Sequence, residues 1–452
     1  MALVLPKSVF VHIPKTGGTW VRRAIEKSMG LEKDSSEIEL PSAEKWGHLA
    51  HAKVKDLKRE ANDVIEDRFM FAFVRNPLDW LKSCYMEKVY PEFVDYNLNF
   101  VTPPKEKITF KEFVLEKGEG YVSRLYRQFL KSPKNIYPFV NYIGRAENLK
   151  EDLIEALEIA GEDFDKTLFD NIPMQRQGAS VEKNKKLIEV DEETLQFIEE
   201  GESEAINLFY SKNSYSNVQQ CIYDRLASLW SVDKKNYVVG SFDAQNEWQD
   251  YQILFDGMFD FHDNAPHLSL AKNSTVLDFG CGPGRNLEKY ASNFKRVDGV
   301  DISHVNLDNA EEWLKLTGSW RDNLLFKSNG VDLSEIEDNQ YDAVMSTITL
   351  QHICVYDIRF NLFKEFRRVL KSGGWFTAQM GYGEGKIGAV PYHKNHYNIG
   401  KTNGATDVFI PSKRYLANDL KKAGFTNLEF KIRPAGPGDT HPNWIFFKGR
   451  AL

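Results

Sequence analysis

Three short stretches of this sequence bring together residue types that handle anions and nucleotides. In "VFVHIPKTGGTWVRRAI", Val9 to Ile25, a β-branched and aromatic run passes through Pro-Lys-Thr-Gly-Gly-Thr into a helical pattern. A glycine turn between strand and helix lets backbone N–H groups and the positive helix end face an anion, and a neighbouring lysine adds a point charge. Lys15, Gly17, Gly18 and Thr19 fit that role; on these residues alone, a structural turn with a solvated lysine fits equally well. The lysine precedes the glycines, so the ATP-type loop G-x-x-x-x-G-K-[ST] is absent. In "FVRNPLDWLKSCY", Arg75 ends a strand and Ser83 follows in the next helix, where a guanidinium fork and a hydroxyl can grip a phosphate together. The third stretch, "VLDFGCGPG", is a buried-strand run opening into Gly280, Gly282 and Gly284, and "VDGVDIS" ends the next strand with Asp301. Glycines permit close backbone approach, and a carboxylate at that strand end can accept both hydroxyls of a ribose. The loop is not G-x-G-x-x-G, and Asp278 inside it is unlike a nicotinamide fingerprint.

These residues need two frameworks to position them. From Val9 to about Tyr210, short apolar runs alternate with helical patterns, the rhythm of an α/β layer fold. "FMFAFVRNP" is its second clear strand, "NYIGRAENLKEDLIEALEIAG" reads as strand, turn and amphipathic helix, and "DEETLQFIEEGESEAINLFYS" as a closing helix interrupted or bent near Gly201. The polar, turn-forming run "SKNSYSN", Ser211 to Asn217, marks a boundary. Beyond it "QCIYDRLASLW" and "NEWQDYQILFDGMF" read as helical and aromatic, followed by strand, glycine loop and helix in "STVLDFGCGPGRNLEKYA". Strands in "RVDGVDIS", "YDAVMSTITL" and "GGWFTAQM" and a helix in "FNLFKEFRRVL" complete a second α/β series. At 452 residues the chain exceeds what one core organises. The expected domains are 1–212 and 237–452, joined by a linker or helical connection over 213–236. The two glycine loops sit in different motif contexts, so the halves are not a duplication.

Composition narrows the classes. Hydrophobic residues at 42% and charged residues at 27% are ordinary for a globular protein. No apolar run approaches the ~20 residues that cross a bilayer, and "MALVLPKSVF" has neither basic leader nor long apolar core. The expectation is a cytoplasmic protein without membrane attachment. Cys84, Cys221, Cys281 and Cys354 contain no C-x-x-C, which suggests reduced thiols and gives no zinc signature. A net charge of -7 argues against a nucleic-acid surface over the whole protein. His393 and His396 in "PYHKNHYN" lack a third ligand and fit an acceptor-pocket loop better than a metal site. The aromatic segment Phe242 to Phe261 reads as core, with a pocket cap as the alternative.

"PKTGGTW" and "RNPLDWLKSCY", in this order and with this arginine-to-serine interval, resemble the sulfotransferases that use 3′-phosphoadenosine 5′-phosphosulfate (PAPS). "IGRAENLKEDL" is similar to a later segment of that family, so the resemblance covers roughly Val9 to Tyr210. It implies a P-loop-like α/β fold in which Lys15 steadies the bridging oxygen of the leaving phosphosulfate. Thr16, Gly17, Gly18 and Thr19 would hold the 5′-phosphate, Trp20 would line the adenine pocket, and Arg75 and Ser83 would hold the 3′-phosphate. Trp80 stands where many glycan-type members have arginine, which puts a local ion pair in doubt but not the phosphate grip. A base must take the acceptor's proton. "WGHLAHAKVKDL" offers His48 and His51 in the region from which several family members draw theirs, and His51 resembles that segment better. A structural role for these histidines, and a carboxylate base elsewhere, stay open; His12 is read as structural.

The region from about Tyr237 to Leu452, with "YDAVMSTITLQHI" and "FRRVLKSGGWF" in order behind the glycine loop, resembles class I S-adenosylmethionine (SAM)-dependent methyltransferases. That implies a Rossmann-like fold in which Asp278, Gly280, Gly282 and Gly284 approach the methionine moiety, Asp301 the ribose and Asp332 the adenine. Ser346 to His352 would face cofactor and acceptor. His352 is either an acceptor base or the residue that orients a helix, and methyl transfer, which needs chiefly alignment and desolvation, can proceed without a dedicated base. The combined expectation is a bifunctional, two-domain α/β tailoring enzyme without metal. It would move a sulfuryl group from PAPS to a hydroxyl, and a methyl group from SAM to an O or N, on a small molecule or glycan and not on nucleic acid. The alternatives are a nucleotide kinase fused to a methyltransferase, and a non-catalytic cofactor-binding scaffold.

Overall fold

The computed structural model describes residues 2–32, 37–38, 44–46, 49–89, 108–172, 188–230, 255, 268–384, 389–398, 407–436 and 441–452. Two compact units divide the chain, Met1–Val218 with Asn398–Lys401, and Gln219–Tyr397 with Thr402–Leu452.

The first unit contains strands β1 (Ala2–Val4), β2 (Ser8–Val11), β3 (Glu37–Ile38), β4 (Glu44–Trp46), β5 (Leu49–His51), β6 (Phe69–Val74) and β7 (Tyr142–Arg145). Five form one sheet in the order β3-β1-β2-β6-β7, while β4 and β5 make a separate antiparallel ribbon that ends at His51. Strands β2, β6 and β7 run parallel. β2 and β6 are buried at every position, which is why "SVFV" and "FMFAFV" are continuous apolar runs without alternation. Val11 is level with Ala72, and Val74 with Arg145, so the loops leaving β2, β6 and β7 start side by side at one end of the sheet. The sequence pattern finds these three strands. It misses β1, β3 and the β4–β5 ribbon, whose two to three residues are too few to display a period. The closing helical pattern is two helices, Glu192–Gly201 and Ser203–Phe209, meeting beside the predicted bend. Helix Ser214–Trp230 begins inside the polar run at Ser211–Asn217, because Asn217 Nδ2 donates to Asn207 O (2.9 Å) and Ser211 Oγ (3.2 Å) and confines the turn to the first residues of the run.

The second unit contains β8 (Thr275–Phe279), β9 (Arg296–Asp301), β10 (Leu325–Lys327), β11 (Tyr341–Thr347), β12 (Leu370–Tyr382), β13 (Phe425–Pro434) and β14 (Asn443–Ala451), in the order β10-β9-β8-β11-β12-β14-β13. The first five are parallel, and β14 lies antiparallel between β12 and β13. The chain winds outward from β8 through β9 to β10 and resumes on the other side of β8 at β11. That reversal is the topological switch point of a Rossmann-like sheet, where ligands bind beyond the carboxyl ends of the strands. Patterning anticipates β8, β9, β11 and β12. It does not anticipate β13, whose burial alternates with exposed polar residues along a sheet edge. Of the aromatic segment Phe242–Phe261, only Phe255 is among the described residues; it is buried against Tyr290 and Phe294, ring centroids 5.0 and 5.3 Å away. Among the described residues, no helix is long and apolar enough to cross a membrane.

Candidate functional sites

In the first unit the β2 strand gives way to a loop whose residue types follow from packing. Gly17 caps helix Gly18–Ser28 at φ 86°, in the left-handed region. Side chains at Gly17 and Gly18 would run into Leu149 and the His12 ring, so both glycines are required before any ligand is considered. Thr16 is fully buried and its Oγ1 donates to Ile13 O (2.9 Å), closing the turn, whereas Thr19 is exposed at the loop surface. Among the described residues no side chain caps this helix, and its first turn holds no acidic residue, in contrast to helix Phe110–Lys117, which Thr109 and Glu112 close with a capping box. Trp20 N donates to Gly17 O (3.0 Å), and an uncapped helix start of this kind is a general setting for an anion. Lys15, at φ 67°, is held in a region that non-glycine residues seldom occupy, and its half-buried ammonium pairs with Glu87.

Arg75 leaves the adjacent end of β6. Its backbone N–H donates to the Tyr126 hydroxyl (2.9 Å), which donates in turn to Arg75 O (2.6 Å), and its Nη1 reaches Lys15 O at 3.4 Å. Asn76 N donates to Glu147 Oε1 (2.9 Å), and Glu147 Oε2 accepts from the Tyr210 hydroxyl (3.1 Å), so the "GRAENL" segment braces the same strand end. Ser83 is half-buried on helix Pro77–Val89. Trp80, from the preceding turn, is fully buried and its Nε1–H donates to Pro14 O (2.9 Å), so a hydrogen bond to the loop stands where the family resemblance leads one to look for an ion pair. Trp80→Phe should cost about 1–2 kcal/mol of stability in denaturant unfolding, the value of one buried hydrogen bond with its acceptor left unpaired. Unchanged stability would show that Pro14 O finds another donor. Trp20 is 8% exposed against Phe169, and its indole N–H has no partner among the described residues. Sequence reasoning missed Tyr126 and Glu87, which belong to no motif, and gave no role to Glu147, which lies inside "IGRAENLKEDL".

His48 lies outside the described residues. His51 is 3% exposed; its Nδ1 is 2.9 Å from His12 O, and its ring stands edge-on to the His12 ring at 4.6 Å. A carbonyl only accepts, so Nδ1 carries the hydrogen and Nε2 the lone pair. Burial is the main cause that pushes His51 down to about 4, and burial together with His51 holds His12 well below its ordinary value. Both are neutral near pH 7.

In the second unit Asp278 sits on β8 at the switch point, 1% exposed, with neither carboxylate oxygen hydrogen-bonded among the described residues. Burial raises its carboxyl to about 7; the Asn286 side chain opposes the shift and Asp301 adds to it. A buried carboxylate without a partner is matched to a cation, such as the ammonium of a methionine moiety. The glycine loop is anchored by Gly280 N and Cys281 N, both donating to Val300 O (2.7 and 3.0 Å). A side chain at Gly280 would overlap Thr349 and one at Gly284 would press on Ala310, but one at Gly282 meets nothing within 4 Å, so the loop is open at its middle. Asp301 Oδ2 accepts from Gly282 N (2.9 Å) and Oδ1 from Ser303 N (2.8 Å). Ser303 Oγ donates to Asp224 Oδ1 (2.6 Å), which ties helix Ser214–Trp230, through Asp224 that no motif signals, to the turn that holds Asp301. Asp332 follows β10 half-buried, its Oδ1 accepting from Asn329 Nδ2 (2.7 Å) and Ser334 N (3.1 Å).

At the end of β11, Ser346 Oγ donates to Phe279 O (3.0 Å) and the β-branched Ile348 adopts φ 56°. His352 Nδ1 lies 2.7 Å from Asp407 Oδ1, and Asp407, 1% exposed, also faces His441 Nε2 at 3.4 Å. Burial works against charge on His352, but the Asp407 carboxylate outweighs it and raises the imidazole. Asp407 and His441 are far from His352 in sequence and escaped the reading. His393 packs among the rings of Tyr356, Tyr392 and Tyr415 at 4.8–4.9 Å, while His396 is buried. No group of three metal-ligating side chains occurs among the described residues.

Residues 6–211 match the family model described as Sulfotransferase family, and residues 277–378 the model described as Methyltransferase domain. The tRNA U34 carboxymethyltransferase of Shewanella baltica (strain OS155 / ATCC BAA-1091) is 31% identical over 163 residues, 36% of this chain and 46% of the relative. That of Shewanella sp. (strain ANA-3) is 30% identical over 165 residues, 36% of this chain and 47% of the relative. The chain thus spans less than half the length of these curated relatives. Among solved structures, a Haloferax volcanii putative methyltransferase in complex with the Trm112 activator is 17% identical, covering 50% of this chain and 97% of that one, with a TM-score of 0.35. Haemonchus contortus phosphoethanolamine N-methyltransferase 2 is 17% identical, covering 53% and 60%, with a TM-score of 0.36.

Proposed function

Because the chain joins an N-terminal sulfotransferase-family domain to a C-terminal SAM-dependent methyltransferase domain and is a transferase, we propose that it is a bifunctional cytoplasmic tailoring enzyme. It transfers a sulfuryl group from PAPS to an acceptor hydroxyl, and a methyl group from SAM to an O or N acceptor, on a small molecule or glycan. The observation that carries this reading is the opposite charge of the two glycine loops. Lys15 and Arg75 flank an uncapped helix N-terminus in the first; the unpartnered carboxylate of Asp278 lies beneath the second.

Bound PAPS supplies an activated sulfuryl group and bound SAM an activated methyl group. In the first domain the N–H groups of Gly17 to Thr19 bind the 5′-phosphate, Arg75 and Ser83 the 3′-phosphate, and Lys15 places its charge where negative charge grows on the leaving oxygen. His51, hydrogen-bonded through Nδ1, presents Nε2 as the acceptor for the hydroxyl proton. In the second domain Asp278 and the glycine loop hold the methionine moiety, Asp301 the ribose and Asp332 the adenine. Asp407 orients His352, which takes a proton where the methyl acceptor has one to lose.

The names of the curated relatives raise tRNA and carboxymethyl transfer; the net charge of -7 supports a small acceptor instead. The test is incubation of the full chain with both donors and an extract of the native source, followed by mass spectrometry of the small-molecule and RNA fractions. Small products gaining sulfate, methyl or both are expected. Phosphate gained from ATP would establish a kinase, carboxymethylated RNA the relatives' reaction, and tight donor binding without any product a scaffold.

A further inference from the structure

Helix Pro77–Val89 offers more to the phosphate loop than the serine that the motif names. Trp80, Ser83 and Glu87 are spaced i, i+3 and i+7, which puts them on one face of the helix. The first donates to Pro14 O (2.9 Å) and the last forms the ion pair with Lys15, so this stripe is the face that the helix turns to the loop. The pair is half-buried, the two side chains being 21% and 31% exposed. Among the described residues Glu87 is the acid that Lys15 contacts. The ammonium that should bind a phosphosulfate is thus already neutralised by a carboxylate one helical turn beyond the expected 3′-phosphate ligand.

We infer that Glu87 is a positioning residue of the sulfuryl-transfer site, a resident counter-ion that holds Lys15 over the loop and must yield it when the 5′-phosphate enters. This rests on the sulfotransferase reading above. An anion and Glu87 compete for one cation, so Glu87 lowers affinity for the nucleotide before and after transfer alike, and thereby favours release of the spent nucleotide. Its carboxylate, through the ion pair, sets the position of the Lys15 ammonium in the unliganded protein.

The experiment is calorimetric titration of the full chain with adenosine 3′,5′-bisphosphate, comparing wild type, Glu87→Gln, Lys15→Met and the double variant. Glu87→Gln should bind about 3–10-fold more tightly, as expected from releasing a partly exposed ion pair and its repulsion of the ligand. In the Lys15→Met background the same change should give less than about half that gain, because the pair no longer exists. Glu87→Asp should fall between glutamine and wild type. Asp79→Asn, which removes an exposed charge on the same helix, should stay within about 1.5-fold of wild type. An unchanged or weaker affinity for Glu87→Gln overturns the inference, as does an equal gain with and without Lys15, which would make Glu87 a bulk electrostatic influence. If wild type and variants all ignore this nucleotide while ATP binds, the sulfotransferase reading itself fails.

Discussion

Sulfuryl transfer by His51→Asn is expected to run about 10²–10⁴ slower than wild type, while affinity for adenosine 3′,5′-bisphosphate stays within about twofold. Asparagine is the informative substitution because its amide can still donate to His12 O in place of Nδ1 (2.9 Å in wild type), whereas alanine would leave that carbonyl unpaired in a buried site. The variant keeps the tie and loses the lone pair at Nε2. The pH dependence follows from burial, which lowers His51 to about 4 in the free protein. A base works only when unprotonated, so kcat/KM should be flat above about pH 5 and fall below it. A normal rate for His51→Asn, with loss of rate confined to His51→Ala, would make the residue structural. The proton would then go to a carboxylate, and Glu87, already in contact with Lys15, would be the one to replace next.

Local order explains what the sequence disclosed. The strands that lead into the two loops, β2 and β8, are buried at all or nearly all positions and open into glycine turns, and β6 and β11 are mostly buried, largely apolar runs; all four were legible for that reason. The loop residues were legible because glycine types are forced by backbone and close contacts, at Gly17 by φ 86° and Leu149 and at Gly280 by φ 75° and Thr349. What escaped is what tertiary folding brings from afar. Tyr126 closes on Arg75 across 51 residues of chain, Asp224 reaches Ser303 across 79, and Asp407 holds His352 across 55. None of these partners sits at a spacing with a period, and a tyrosine or aspartate on a helix or loop has no signature until its target is placed. The same holds for Trp80: as a departure from the family pattern it was legible, but its hydrogen bond to Pro14 O needed the fold.

Asp278→Asn is expected to weaken SAM binding by about 3 kcal/mol or more, over 10²-fold, because it removes the anionic half of a buried charge pair. The loss should have a pH signature in wild type. Burial holds the Asp278 carboxyl at about 7 without ligand, well above its ordinary 3.8, and an ammonium beside it favours the ionised form. Binding below pH 7 must therefore expel a proton. Affinity should rise by up to about tenfold per unit as pH climbs toward 7 and level off above it. Calorimetry in buffers of different ionisation enthalpy should find release of close to one proton per SAM at pH 6 and little at pH 8, with both effects absent in Asp278→Asn. The unliganded protein should respond with the opposite sign. A carboxyl whose folded value lies above its unfolded one adds stability that is complete below 3.8 and is lost as pH rises through about 7. At pH 8, then, Asp278→Asn should melt no lower than wild type while binding SAM far more weakly. S-adenosylhomocysteine keeps the amino group and lacks the sulfonium, so equal losses for both ligands would assign Asp278 to the ammonium and a loss for SAM alone would assign it to the sulfonium. Undiminished affinity for both would remove Asp278 from the cofactor site and leave its buried, unpartnered carboxylate to be matched with another cation.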